Sequence, residues 1–326
     1  MATPLDPKSL DPKSPDPKPD ATAQPPPAAG WMPDAVFGFL DCEPQGQALA
    51  KALGVPYETV EVHYFPDSEC KVRIKGRGRR PALYRPLHFP NAKLVEVILA
   101  ASVLRQDGGK DIGLIAPYLP YMRQDMAFRP GEAVSQKIIG KLLATYCDRF
   151  IAVDPHLHRT SNLNDVFAGK PALALSGAAA MTAHLRARQV PSDVVLIGPD
   201  EESTPLVRAV AEPLALKWAV CTKERKGDRD VRIIVPTGAV ANKKSVVIVD
   251  DVVSSGVTII TLARTLRDVG VRNMDVYTTH ALFDEKTQDE FTKASIRRIV
   301  SCDGVPHPTN GMSIVDIIVG GLNASR

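Results

Sequence analysis

The chain has 326 residues, 44% hydrophobic and 24% charged, with a formal net charge of +3, room for two ordinary domains and too little charge to imply a nucleic-acid partner. No apolar run could span a bilayer, the start Met1-Ala-Thr-Pro-Leu-Asp-Pro-Lys8 is not a basic-then-apolar leader, and Cys42, Cys70, Cys147, Cys221 and Cys302 lack Cys-x-x-Cys spacing. The sequence therefore predicts a reduced, cytoplasmic α/β protein without membrane association, disulfide frame or zinc site.

Residues 1–32 repeat Asp-Pro-Lys at Asp6, Asp11 and Asp16 and run on into Gln-Pro-Pro-Pro. With few donors and little to bury, they predict a disordered tail without a chemical role. Val36 to Leu40 predicts a first strand, Gln45 to Leu53 a short helix, and His63 to Ile74 a segment ending in strand alternation. Lys75-Gly-Arg-Gly-Arg-Arg80 contains Gly-x-Gly but no following strand-to-helix step, so it predicts a basic turn. Asn91 to Gln106 carries one apolar helical face, and the strand Ile112 to Ala116 follows. Next is Pro117 to Glu132, whose tyrosines and Arg-Gln-Asp cluster either form an ordinary surface loop or offer stacking and donors to a purine. A helix over 133–146 and a strand from Phe150 to Val153 then complete a βαβ unit.

Asp154-Pro-His-Leu-His-Arg159 stands at that strand's end. His156 and His158 suit either a hydrogen-bonded structural turn or the neighbourhood of phosphate and Mg²⁺-bound water. Val194 to Ile197 is the next buried strand, ending in Gly198-Pro-Asp200; Glu201 and Glu202 suit the start of the helix that follows. After the strand Trp218 to Cys221, Lys223 to Asp230 is either a solvated charge run or a mobile basic loop that closes over phosphates. Beyond residue 258 the pattern predicts a strand Met274 to Thr278, a helix Ala281 to Ala294, a strand Ile296 to Val300 and a last helix Ser313 to Leu322. The alternation implies parallel sheets with helices on both faces, divided near residue 175.

The most informative stretch is Val246 to Thr258. A β-branched run, Val246 to Val249, meets Asp250 and Asp251, and then Ser254-Ser-Gly-Val-Thr258 opens a helix with apolar Ile259, Leu262, Leu266 and Val269. Hydroxyls and backbone N–H groups at a helix start cradle phosphate. Acids beside such a cradle would repel phosphate unless they accepted hydrogen bonds from a sugar's vicinal hydroxyls, so the stretch predicts a sugar-phosphate site; the plainer alternative is a helix cap.

This stretch resembles the ribose-phosphate loop of type I phosphoribosyltransferases and of ribose-phosphate pyrophosphokinases. The likeness to the second family runs from Val36 to Leu322 through Phe65-Pro-Asp-Ser-Glu69, Tyr121-Met-Arg-Gln-Asp125, Val153-Asp-Pro-His156, Pro199-Asp200, Lys223-x-Arg225 and Asp303-Gly-Val-Pro306; Phe128-x-Pro-Gly-Glu132 is similar to the archaeal-type members. The resemblance implies two Rossmann-like type I phosphoribosyltransferase-fold domains with parallel sheets: an ATP-side domain over 33–175 and a ribose-phosphate domain over 176–326. It implies ATP bound by Arg123, Gln124, Asp125 and His156, with Phe65, Asp67 and Glu69 reaching it from a neighbouring subunit of a homo-oligomer. Asp250 and Asp251 would hold the ribose hydroxyls of ribose 5-phosphate. Ser254, Ser255, Gly256, Val257 and Thr258 would hold its phosphate, His156 and Asp200 would place Mg²⁺, and Lys223 and Arg225 would be the catalytic pair. The activity implied is ribose-phosphate diphosphokinase; a phosphoribosyltransferase, or a weakly active regulatory relative, is the alternative. The sequence departs from the family pattern at Ser254, where an acid is usual, at Ser68, where glycine is, and at Glu201 and Glu202, where small residues are. These departures bear on efficiency and acceptor more than on fold.

Overall fold

Strands that are apolar at every position are buried on both faces, because helices cover each side of the sheet they enter. The computed structural model describes residues 30–157, 159, 160, 162–225, 231–241 and 245–325. It opens with β1 (Ala35–Phe39), all five residues of which are buried, and α1 (Glu43–Leu53), which stops at left-handed Gly54. β2 (Tyr57–Tyr64) and β3 (Cys70–Arg73) form an antiparallel hairpin. β4 (Pro81–Tyr84), α2 (Pro90–Gln106), β5 (Gly113–Ile115), α3 (Ser135–Tyr146), β6 (Arg149–Val153), α4 (Leu163–Val166) and β7 (Ala172–Leu175) follow. The seven strands join in the order β3-β2-β1-β4-β5-β6-β7, parallel except for β3.

The second half runs α5 (Ala178–Ala187), β8 (Val195–Gly198), α6 (Thr204–Ala211), β9 (Lys217–Val220), β10 (Thr222–Arg225), β11 (Val231–Ile234), α7 (Thr237–Val240), β12 (Ser245–Val253), α8 (Val257–Asp268), β13 (Asn273–Ala281), α9 (Glu285–Lys293), β14 (Ile296–Cys302), β15 (Asn310–Met312) and α10 (Val315–Ala324). Six of its strands make a wholly parallel sheet of order β15-β14-β13-β12-β8-β9, and β10 with β11 forms a separate antiparallel ribbon. This is the predicted α/β architecture of two largely parallel sheets.

Several local expectations are corrected. Lys223 does not lie in a loop, because Thr222–Arg225 pairs with Val231–Ile234; residues 226–230 lie outside the described residues, as does His158. β12 continues through both acids to Val253, and β13 continues to Ala281, so the helix expected from Ala281 begins at Glu285 instead. Trp31, assigned to the tail, is 5% exposed, and its ring covers Gly113, where an added Cβ would meet it at 2.2 Å. Residues 1–29 lie outside the described residues.

One apolar core runs through both sheets, joining Phe37, Leu114 and Ile151 to Tyr277, Val300 and Ile314. α10 crosses back to lie against α1 and β7, and Gly30 N donates to Ser325 O at 2.8 Å.

Candidate active site

β8 and β12 are neighbours in the second sheet, so their carboxyl ends open side by side, where ligands of parallel sheets bind. Asp200 follows β8 directly. Its Oδ1 accepts from Ser203 N (3.2 Å), capping the next turn, while Oδ2 accepts from Lys223 Nζ of β10 (2.5 Å). On β12, Asp251 N donates to Asp250 Oδ1 (3.1 Å). Burial, reinforced by the charges of Asp251 and Asp200, pushes the Asp250 carboxyl well above the usual carboxylate range. Asp251 Oδ2 lies 2.7 Å from His156 Nδ1, which comes from the turn after β6 in the other half of the chain.

After Val253 the chain turns through Ser254 and Ser255 into α8. Gly256 caps that helix with a φ of +72°, and a Cβ there would meet the Phe291 ring at 2.6 Å and Thr287 at 2.7 Å. Only glycine meets both demands without strain. No side chain caps this end, so the N–H groups of the first turn, beside Ser255 and Thr258, are offered outward; Val257 is 63% exposed on the same turn.

Opposite stands the loop from Tyr118. With Tyr121, Arg123, Gln124, Asp154, His156 and Val252 it lines a cavity of about 250 Å³. Arg123 Nη1 donates to Ser254 Oγ (3.4 Å), linking the aromatic loop to the sugar-phosphate turn. Glu132 folds the remainder of the loop by accepting from Phe128 N (2.9 Å) and Arg129 N (3.1 Å). Buried Gln136 fixes its near end, its backbone N donating to Gln124 O (3.2 Å) and its side chain to Met122 O (3.4 Å). Asp125 points elsewhere, accepting from Arg159 Nη1 at 2.9 Å.

Among the described residues no hydrogen bond or ion pair joins Phe65, Asp67 or Glu69 to this site. They form the tip of the β2–β3 hairpin, where Phe65 is 41% exposed and Ser68 N donates to Phe65 O (2.9 Å). The base of the hairpin is held from below: Tyr64 bonds Glu96, which pairs with Arg85, which also pairs with Asp41. Arg225 stands opposite Val231 in the ribbon. Among the described residues no hydrogen bond or ion pair joins His156 to Asp200: His156 meets Asp251 and Asp200 meets Lys223.

Among the described residues no three His, Cys, Asp or Glu side chains converge as a ready metal cluster. What the strand ends offer is three carboxylate oxygen donors, Asp200, Asp250 and Asp251, with burial and then the charges of the other two raising the Asp250 carboxyl. Such a set suits a hard divalent cation that keeps waters and takes further ligands from a phosphate substrate. Three residues that sequence reasoning did not single out frame the site: Tyr118, Thr279 and His280. Asp154, read in the sequence at its strand's end, follows β6 as Asp200 follows β8, and lines the cavity.

Two family models match the chain. The N-terminal domain of ribose phosphate pyrophosphokinase covers residues 35–146, and the phosphoribosyl transferase domain covers 171–314. The ribose-phosphate pyrophosphokinase of Methanopyrus kandleri is 31% identical over 82% of this chain and 91% of its own length. That of Pyrococcus abyssi is 31% identical over 80% and 89%. The crystal structure of phosphoribosylpyrophosphate synthetase from Mycobacterium smegmatis shares the fold, with a TM-score of 0.77 and 22% identity over 89% of this chain and 97% of that one.

Proposed function

The chain belongs to the ribose-phosphate pyrophosphokinase family, and from that premise we propose how its residues divide the work of transferring the β,γ-diphosphoryl group of ATP to the 1-hydroxyl of ribose 5-phosphate. The products are 5-phosphoribosyl 1-diphosphate, a precursor for nucleotide biosynthesis, and AMP. One observation carries the assignment: the aromatic, Arg-bearing loop and the acid pair with its phosphate turn meet within one chain, through His156 with Asp251 and Arg123 with Ser254.

The sugar binds at the end of β12. Its 2- and 3-hydroxyls donate to Asp250 and Asp251, and its 5-phosphate accepts from the first turn of α8 and from Ser255 and Thr258. The adenine occupies the cavity lined by Tyr118, Tyr121, Arg123 and Gln124. The 1-hydroxyl oxygen attacks the β-phosphorus in line, its proton is released, and the bond from that phosphorus to the α-phosphate's bridging oxygen breaks with the electron pair leaving on AMP. Fixing both substrates turns the transfer into an effectively unimolecular step. Lys223 then exchanges Asp200 for the charge growing on the departing AMP, with Arg225 beside it on the ribbon. Asp200, and a water beside His156, would hold Mg²⁺, which would supply charge neutralisation to the phosphates. Phe65, Asp67 and Glu69, at the tip of the β2–β3 hairpin, complete the nucleotide site of a neighbouring copy, so the working unit is a homo-oligomer in the cytoplasm.

Lys223→Ala tests the assignment. We expect kcat to fall by roughly a hundredfold or more while ribose 5-phosphate affinity is retained, because the residue acts on charge that develops only in the transition state. Unchanged turnover would remove Lys223 from the machinery.

A further inference from the structure

Three consecutive contacts tie the end of β6, in the first half of the chain, to elements of the second. Val153 O lies 2.7 Å from His280 Nε2, Asp154 Oδ2 accepts from Thr279 Oγ1 at 2.5 Å, and His156 meets Asp251. Gly177 N, on the link between the halves, donates to the same Asp154 oxygen at 2.9 Å. Thr279 and His280 are adjacent on β13, the strand paired with β12, which carries the acids. Asp251, Thr279 and His280 are therefore set by one stretch of sheet.

The turn they grip is unfavourable by itself. Asp154 has a φ of 40° and His156 a φ of 54°, both in the left-handed region that L-residues avoid. Such a conformation persists where the surroundings over-determine it. Here they do, since Asp154 receives two donors, His280 is 1% exposed and bonded to the preceding carbonyl, and the Tyr118 ring stands edge-on to His280 with centroids 5.1 Å apart. Gly177 allows the close approach, because a Cβ there would lie 2.7 Å from Thr279 Oγ1 and 3.0 Å from Asp154 Oδ2.

We propose that Thr279 and His280 are positioning residues: they clasp the Val153–His156 turn from the sugar side, hold it in its unfavourable conformation, and so keep His156 against Asp251 between the two substrate sites. They touch neither substrate. The role assigned to them rests on the function proposed above, whereas the clasp itself does not.

The test compares full-length Thr279→Val, which keeps shape but loses the hydroxyl, with Thr279→Ser, which keeps the hydroxyl. Two readouts are taken: kcat with both KM values, and the imidazole ¹⁵N resonances of His156, assigned against His156→Gln. For the valine variant we expect kcat to fall roughly tenfold or more, as for loss of a hydrogen bond to a charged group, with KM for ribose 5-phosphate within about twofold. The His156 resonances should move, and serine should restore both readouts. Gly177→Ala, which pushes the same contact apart without removing a polar group, should reproduce the valine result and decides the matter if the valine variant does not fold. Wild-type kcat and resonances in folded Thr279→Val would overturn the proposal, as would serine failing like valine, or kcat lost with the His156 resonances unmoved. Should the wild type form no AMP from ATP and ribose 5-phosphate, the function proposed above falls, and the resonances still decide whether the clasp exists.

Discussion

Ser68 shows what a single backbone angle can store. Its φ of 73° lies where an L-residue costs about 1–2 kcal/mol and glycine costs little. Ser68→Gly should therefore stabilise the protein, by up to about 1 kcal/mol once glycine's greater freedom in the unfolded chain is counted. Urea unfolding measures this, and a lower midpoint for the glycine variant would contradict it. His280 carries a pH dependence of definite sign. Burial lowers its pKa from 6.5 to about 4, so the folded state holds it neutral. Its contribution is complete above pH 6.5 and is lost as pH falls toward 4, by about 3 kcal/mol in full. Asp154, raised by burial from 3.8 to about 6, works the other way, because the folded state binds its proton first and gains on acidification. His280→Asn keeps a donor for Val153 O and removes only the first effect. Unfolding free energies measured from pH 6.5 to 4 should show the variant gaining on the wild type throughout, whereas parallel curves would contradict the assignment.

Elements differ in how far they can be read from composition. β12 was legible because its β-branched run is buried on both faces, and α8 because its apolar positions recur at helical spacing after a hydroxyl-rich turn. β4 was not: four residues opened by Pro81 and preceded by Lys75 to Arg80 give no period, yet all four are buried in mid-sheet. β7, β11 and β15 have the same limitation, with four, four and three residues. β10 was misjudged because its charges suggest solvent, whereas Thr222–Arg225 pairs as a strand with Val231–Ile234. Beneath the β2–β3 hairpin, Arg85 is 4% exposed, stacked over Phe39 at 4.3 Å, and paired with Glu96 and Asp41. Removing Glu96 leaves the buried Arg85 to Asp41 alone, a partner 47% exposed that compensates its charge incompletely. Glu96→Ala should cost about 3–5 kcal/mol, and it should also free Tyr64 at the hairpin's base. A thermal or denaturant shift near zero would show that Asp41 alone suffices for Arg85.

At the scale of the molecule, the two halves meet through contacts that no local pattern announces. His156 with Asp251, Thr279 with Asp154 and His280 with Val153 join residues 95, 125 and 127 positions apart. Each residue type was visible in the sequence; the pairing follows from both sheets directing their strand ends toward one seam. The candidate site was therefore legible as a set of motifs, while their mutual placement was not.

The central claim is diphosphoryl transfer to a sugar phosphate, and ³¹P NMR of the purified protein with Mg-ATP tests it most directly. With ribose 5-phosphate present, AMP and a 1-diphosphate of the sugar should grow in equal amounts, and without it neither should form. Formation of ADP in place of AMP, or no reaction in the presence of bound ribose 5-phosphate, would contradict the account.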